Sequence, residues 1–480
     1  MELEIKESII KVLFDELSKQ HRNISFKDKY DVSGGFAFKS NTYTEEGTFV
    51  LRVTNINKDS TITTKDAKFF PSDKIDASLN KYLLKENDVL MVMVGGSIGK
   101  VGYVHKDVLP ALLNQNMWRI SSLEGNSCPR YIYYLIKYIN GKKLKVTNST
   151  HGHLSRNEYR ETLIPNTGIN TEKLVSRFLD KLFKENTVED LPNELDTVKK
   201  KIEKLVNFQK YFYQLKKELQ KQNLLLETFK TNILSEAIQG KLVQQNPNDE
   251  PASKLLTKIN EKKEKLVQEK KIKKEKLLPQ ISDEEKLFEL PRGWEWARFG
   301  RIATIASKLV NPSDFLDSYH IAPDNIEKGT GRLLNFRTVA QDGVTSPKHY
   351  FYEGHILYSK IRPNLSKVVL IDFQGLCSAD MYPIKTYMDS KYLLNYMLSS
   401  VFLKQATKKD NRVKMPKINQ ADLNNILVPV PPLQEQKRIV EKVSSFMFLC
   451  GELEQTVEQS RHESEELLKA VLQEAFAKKE

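Results

Sequence analysis

Gly95-Gly-Ser-Ile-Gly-Lys-Val101 is the stretch of this 480-residue sequence that most invites a chemical reading. Glycines ahead of a lysine can cradle phosphates through backbone N–H groups. The spacing defeats that reading, because a phosphate loop needs Gly at 94 and a hydroxyl at 101, and Val stands at both. A strand–turn–strand hairpin is the expected structure. His151-Gly-His153 offers two imidazoles, but no further His or Cys stands close by to complete a metal site. Ser155-Arg-Asn-Glu158 has capping-box spacing. The segment therefore reads as a basic loop entering a helix, with His153 and Arg156 at the end that attracts phosphate. A solvated basic loop accounts for the same residues. There is no Asn-Pro-Pro-aromatic motif for amino-methyl transfer, no glycine-rich cofactor loop and no Gly-x-Ser-x-Gly. No catalytic constellation is expected.

These residues recur in a second copy. Leu154 to Pro165 aligns with Ile418 to Pro429 at an offset of 264, as Asn116-Met-Trp-Arg-Ile120 does with Asp380-Met-Tyr-Pro-Ile384. Asn87-Asp-Val-Leu90 aligns with Gly354-His-Ile-Leu357 at 267, and Ser97 to Val101 with Asn364 to Val368. Lys100 thus matches Lys367, and both are candidates for nucleic-acid contact. His153 matches Lys417, in a stretch that also holds Arg412 and Lys414. A lysine does not serve a metal, so the copies share no metal site. Short apolar runs between turn residues, such as Thr48 to Val53 and Val89 to Val94, mark both copies as strand-rich.

Two long helices must carry these domains. Val443, Phe446, Cys450, Leu453, Val457, Leu467 and Val471 lie on a heptad seam. At an offset of 238, Leu205, Phe208, Phe212, Leu215, Leu219, Leu226, Phe229 and Ile233 repeat it. Neither seam can be buried alone, so the two helices are expected to pair antiparallel over about 42 Å at ~1.5 Å per residue. The change of offset leaves 26 extra residues in the first copy, assigned to the interlude Ile169 to Asp190. The expected architecture is α+β: two strand-rich domains joined by a long antiparallel coiled-coil helix pair, a pseudo-twofold tandem repeat. Its segments are an N-terminal helix (1–22), a first domain (23–168), a central helical region (169–242), a lysine-rich helical connector (243–290), a second domain (291–430) and a C-terminal helix (431–480).

A formal charge of +13 fits a polyanionic partner. Three scattered cysteines suggest neither a disulfide framework nor a zinc site and fit a reducing cytoplasm. Neither a signal peptide nor an apolar run long enough to span a bilayer is visible.

Pro431-Pro-Leu-Gln-Glu-Gln-Lys-Arg-Ile-Val440, Leu234-Ser-Glu-Ala-Ile-Gln-Gly-Lys-Leu242, the Pro247 to Leu256 stretch and Leu290-Pro-Arg-Gly-Trp-Glu-Trp296 together resemble the specificity subunit of type I restriction–modification systems. The resemblance covers essentially the whole chain. The first copy departs from it, with Leu191-Pro-Asn-Glu-Leu195 in place of the Pro-Pro-Leu-x-Glu-Gln run. The resemblance implies a non-catalytic, DNA-binding chain. Each domain would read one half of a bipartite, asymmetric double-stranded site. The helices would set the spacer and dock two modification subunits, with restriction subunits as further partners. S-adenosylmethionine, ATP and magnesium would belong to those partners, and this chain would hold no cofactor. The competing readings are a coiled-coil protein scaffold, which predicts no salt-dependent DNA affinity, and a self-contained modification enzyme, which the missing methyltransferase motifs disfavour.

Overall fold

Val89-Leu-Met-Val92 is apolar at every position, which a strand needs when both its faces are covered. In the computed structural model, which describes residues 2–143, 155–272, 277–408 and 416–476, that strand lies inside a three-layer domain. Val89 and Met91 face a helical layer, and Leu90 and Val92 face a second sheet. Ile356-Leu-Tyr-Ser359 repeats the arrangement: Ile356 and Tyr358 point to helices, and Leu357 to a second sheet. The chain forms two compact units, residues 1–218 with 460–480, and residues 219–459.

In the first unit helix α1 (Glu2–Gln20) leads into strands β1 (Asn23–Ser25), β2 (Tyr30–Gly34), β3 (Thr48–Leu51), β4 (Phe69–Phe70), β5 (Val89–Val92), β6 (Val101–Tyr103), β7 (Ala111–Leu113) and β8 (Met117–Ser122). Helix α2 (Pro129–Lys143), strand β9 (Leu163–Pro165), helix α3 (Ile169–Glu185) and the start of α4 (Asp196–Ile238) follow. The sheets run β2-β8-β5-β6 and β4-β3-β7, with β3 and β7 parallel. The apolar side of α1, from Ile5 and Ile9 to Leu13 and Phe14, is buried against this domain.

The second unit holds α5 (Ala252–Gln268), β10 (Glu295–Arg298), β11 (Ala303–Ile305), β12 (Leu309–Val310), β13 (Tyr319–Ile321), β14 (Arg337–Thr338), β15 (Lys348–Phe351), β16 (Ile356–Ser359), β17 (Val368–Leu370), β18 (Gly375–Cys377) and β19 (Met381–Thr386). Helix α6 (Ser390–Leu398), strand β20 (Leu427–Val430) and helix α7 (Leu433–Phe476) complete the order, the end of α7 lying in the first unit. Its first sheet, β11-β19-β16-β17, copies the first domain strand for strand. Its second sheet keeps the parallel pair as β13 and β18, then adds β15 and β12 beyond β18. Helix α5, within the lysine-rich connector, buries Leu255, Leu256 and Ile259 in this unit's core.

Helices α4 and α7 run antiparallel. In the first unit Lys204 pairs with Glu474 at 2.7 Å, and Leu468 packs into the core that holds Leu205. In the second, Lys230 pairs with Glu454, and the Phe229 and Phe446 rings meet edge to face. The heptad expectation needs correction. Leu205, Leu219, Ile233, Val443, Cys450 and Val457 are buried, and Phe208, Phe212, Leu226, Phe446 and Val471 are half-buried. Leu215, Phe229, Leu453 and Leu467 are 42–57% exposed. Burial recurs every seven residues, while positions three residues further on lie ~60° round the helix on an open flank. Leu468 takes the buried place that the seam assigned to Leu467.

The interlude is also corrected. Helix α3 is no added segment beside the frame; at an offset of 264 it copies the first turns of α7. Glu172 of α3 is fully buried and accepts from the Cys128 backbone N–H at 2.8 Å, just ahead of α2. Gln436 of α7 is fully buried and accepts from Asp389 N–H at 3.0 Å, just ahead of α6. The Gln436 amide also donates to Pro431 O. Thr167 O, the matching carbonyl, receives its bond instead from Lys29, whose ammonium is 2.6 Å from Glu172. The first copy therefore spells the start of the helix twice, as α3 and again as the start of α4. A left-handed Asn186 ends α3 between them.

Candidate nucleic-acid interface

Each domain closes its central hairpin, β5–β6 or β16–β17, with the same turn. In the first, Gly95 and Gly99 have left-handed backbone (φ +73° and +82°) around a single 3-10 turn, and Lys100 follows. In the second, Arg362 and Ser366 take those places (φ +49° and +45°) around Pro363–Leu365, and Lys367 follows. The two left-handed positions and the lysine coincide at an offset of 267. Left-handed backbone costs a residue with a Cβ roughly 1–2 kcal/mol, and a residue ahead of proline is itself pushed toward extended backbone. The second turn is strained where the first is relaxed.

The matched lysines anchor these turns. Lys100 Nζ donates to Ile56 O at 3.2 Å, and Lys367 Nζ to Pro323 O at 2.7 Å, with Asp324 3.2 Å away. Their acceptors lie on a second matched feature that the sequence reading passed over. Asn55 accepts from Arg52 N–H and donates to Thr63 O; Asn325 accepts from Ala322 N–H and donates to Asn335 O. The signal was present as Leu51-x-x-x-Asn-Ile56 against Ile321-x-x-x-Asn-Ile326.

At this end of the second domain, backbone bonds gather four distant segments. Gly329 N–H donates to Ser366 O, Lys360 N–H to Asp380 O, Arg362 N–H to Pro416 O and Ile418 N–H to Lys360 O. Lys417 bridges Ile361, and Lys417 and Lys360 face Asp380 at 3.6 and 3.8 Å. Lys367, Lys417 and Arg362 are thus brought onto one set of linked turns. Arg362 is exposed, and among the described residues its side chain has no hydrogen-bond or ion-pair partner.

In the first domain Arg156 begins a five-residue helix capped by Ser155, which accepts from Glu158 N–H; the Arg156 guanidinium donates to Val32 O. Asn140 donates to Gly99 O and steadies the Lys100 turn. His153, Arg412 and Lys414 lie outside the described residues, as does the rest of the His151 loop. Among the described residues no group of three or more His, Cys, Asp or Glu is placed to hold a metal ion, and no helix is long and apolar enough to cross a membrane. Cys377 is buried, which pushes its thiol up and away from nucleophilic use. The surface offers cations on rigid turns, suited to binding a polyanion.

Two domains that share a four-stranded sheet and a lysine-anchored turn, each packed with antiparallel segments of the two long helices, define a tandem recognition protein. The profile of the family described as "Type I restriction modification DNA specificity domain" matches residues 22–197 and 291–460, and the chain belongs to that family. The type I restriction enzyme EcoDI specificity subunit of Escherichia coli is 38% identical over 258 residues, 52% of this chain and 53% of that relative. The EcoAI specificity subunit of the same organism is 36% identical over 253 residues, 50% of this chain and 42% of its own length. These matches span about half the length of the relatives. The EcoBI specificity subunit, also from Escherichia coli, is 21% identical over 476 residues, 94% of this chain and 85% of that one. A solved structure described as "Structural basis underlying complex assembly and conformational transition of the type I R-M system" superposes with a TM-score of 0.52 at 14% identity, covering 95% of this chain and 97% of that one. It shares the fold.

Proposed function

We propose that this chain is the DNA-reading, non-catalytic subunit of a cytoplasmic type I restriction–modification complex. The domain at 23–168 reads one half of a bipartite asymmetric site and the domain at 291–430 the other. The paired helices set the spacer and dock two modification subunits, with restriction subunits as further partners. Methyl transfer from S-adenosylmethionine, and ATP- and magnesium-dependent cleavage, belong to those partners. Lys100, His153, Arg156, Lys367, Arg412, Lys414 and Lys417 supply phosphate contacts; Lys100 and Lys367 keep ammonium donors free beside their carbonyl bonds. The observation that carries the reading is the duplication of a domain whose four-stranded sheet is copied strand for strand and whose anchored turn differs in side chains between the copies. Exposed apolar side chains on the two long helices support docking: Tyr211, Tyr213, Leu224 and Phe448 are 68–69% exposed.

The test exchanges residues 291–430 for the second domain of another family member and maps methylation in a host that supplies modification subunits. One half of the recognised sequence should change while the other stays. A change in both halves, or methylation without sequence preference, would sink the proposal.

A further inference from the structure

We infer that Arg362 is a base-reading side chain of the second domain. The inference rests on the DNA-reading role proposed above and names a residue that performs it. At the matching position the first domain has Gly95, where a Cβ would meet nothing within 4 Å. The turn therefore needs no side chain there for packing, and its backbone conformation favours glycine. The second domain nevertheless carries an arginine in left-handed backbone, directly ahead of Pro363. Retained strain of this kind marks a position fixed for use.

The surroundings fix it well. Pro363 and Ser366 are buried, Lys367 ties the turn to Pro323, and Arg362 N–H is bonded to Pro416 O. The neighbouring cations are all engaged: Lys360 and Lys417 with Asp380, and Lys367 with Pro323 and Asp324. Arg362 alone of these four presents its charged group to solvent unpaired among the described residues. A phosphate contact asks only for a cation and tolerates a flexible one. A planar guanidinium fork on a rigid turn matches the O6 and N7 acceptors of guanine in the major groove.

The experiment uses the full chain with its modification subunits and methylation mapped on DNA randomised across both half-sites. Arg362→Gly removes the fork and relaxes the turn; Arg362→Lys keeps the charge without the fork. Both should lower discrimination at one guanine of one half-site about tenfold. The other half-site should be unchanged, and R362G should melt no lower than the parent. Discrimination preserved at every position in both variants would overturn the inference and leave the two-part reading standing. Uniform weakening in R362G, a salt slope smaller by about one and rescue by R362K would mark a phosphate contact, and would overturn it too. A parent complex that methylates all sequences alike would overturn the proposed function, and this inference with it.

Discussion

The two domains meet their helices through the same buried hub, built from opposite chemistry. In the second domain Gln436 serves both the Asp389 N–H and the Pro431 carbonyl with one neutral amide. In the first, a carboxylate can only accept, so Glu172 takes the Cys128 N–H and Lys29 supplies the missing donor to Thr167 O. The position matching Lys29 in the second domain is Ile302, which is apolar and buried. A polar junction is thus copied as a set of satisfied backbone groups rather than as a set of residues. The anchored turns differ in the same way: both keep the backbone and the lysine, and they differ in what stands at the left-handed positions.

The largest effect should come from breaking one hub halfway. Glu172→Gln leaves the Lys29 ammonium, only 13% exposed, beside a neutral partner. Removing one member of a buried pair typically costs 3–5 kcal/mol, and some exposure of Lys29 places the expected loss near ~3 kcal/mol. The double variant Glu172→Gln with Lys29→Ile, which rebuilds the second domain's solution, should recover most of it. Urea unfolding would measure both; equal losses in the single and double variants would show that the hubs are not equivalent.

A smaller effect should follow from exchanging the turns. Ser366→Gly should stabilise the second domain and Gly99→Ser destabilise the first, each by about 1 kcal/mol. Shifts of the same sign in thermal melts would mean that the turns carry different loads.

The smallest should appear in DNA binding. Lys100→Ala and Lys367→Ala each remove one carbonyl bond, roughly 1 kcal/mol. If each ammonium also meets a phosphate, the salt slope of binding falls by about one. A slope unchanged in both would confine these lysines to holding their turns.

The duplication, the heptad period and the strand-rich texture were legible in the sequence because each is a pattern of residue type against spacing. Lys100 and Lys367 were found through the 267-residue offset. The hub was not, because Glu172 against Gln436 looks like a departure until their hydrogen bonds are seen. The flank carrying Leu215, Leu453 and Leu467 was misread because a heptad pattern does not say how much of the stripe one partner helix covers. Arg362 escaped notice because nothing in Ile361-Arg-Pro-Asn364 announces left-handed backbone ahead of a proline.

The joins between each domain and its helices have a further consequence. Strand β1 pairs with β9, and β10 with β20. Paired strands lie about 4.8 Å apart, so to the helical frame residues 26–162 and 299–426 are closed loops with a fixed mouth. The closure entropy of a loop rises by only about 0.6 kcal/mol for each doubling of its length. The frame is therefore nearly indifferent to what is threaded through the mouth. A three-stranded second sheet and a five-stranded one are carried by the same neck, and, apart from the hub contacts of Lys29, Cys128 and Asp389, sequence between the necks is free to be replaced or lengthened without relaying the helices.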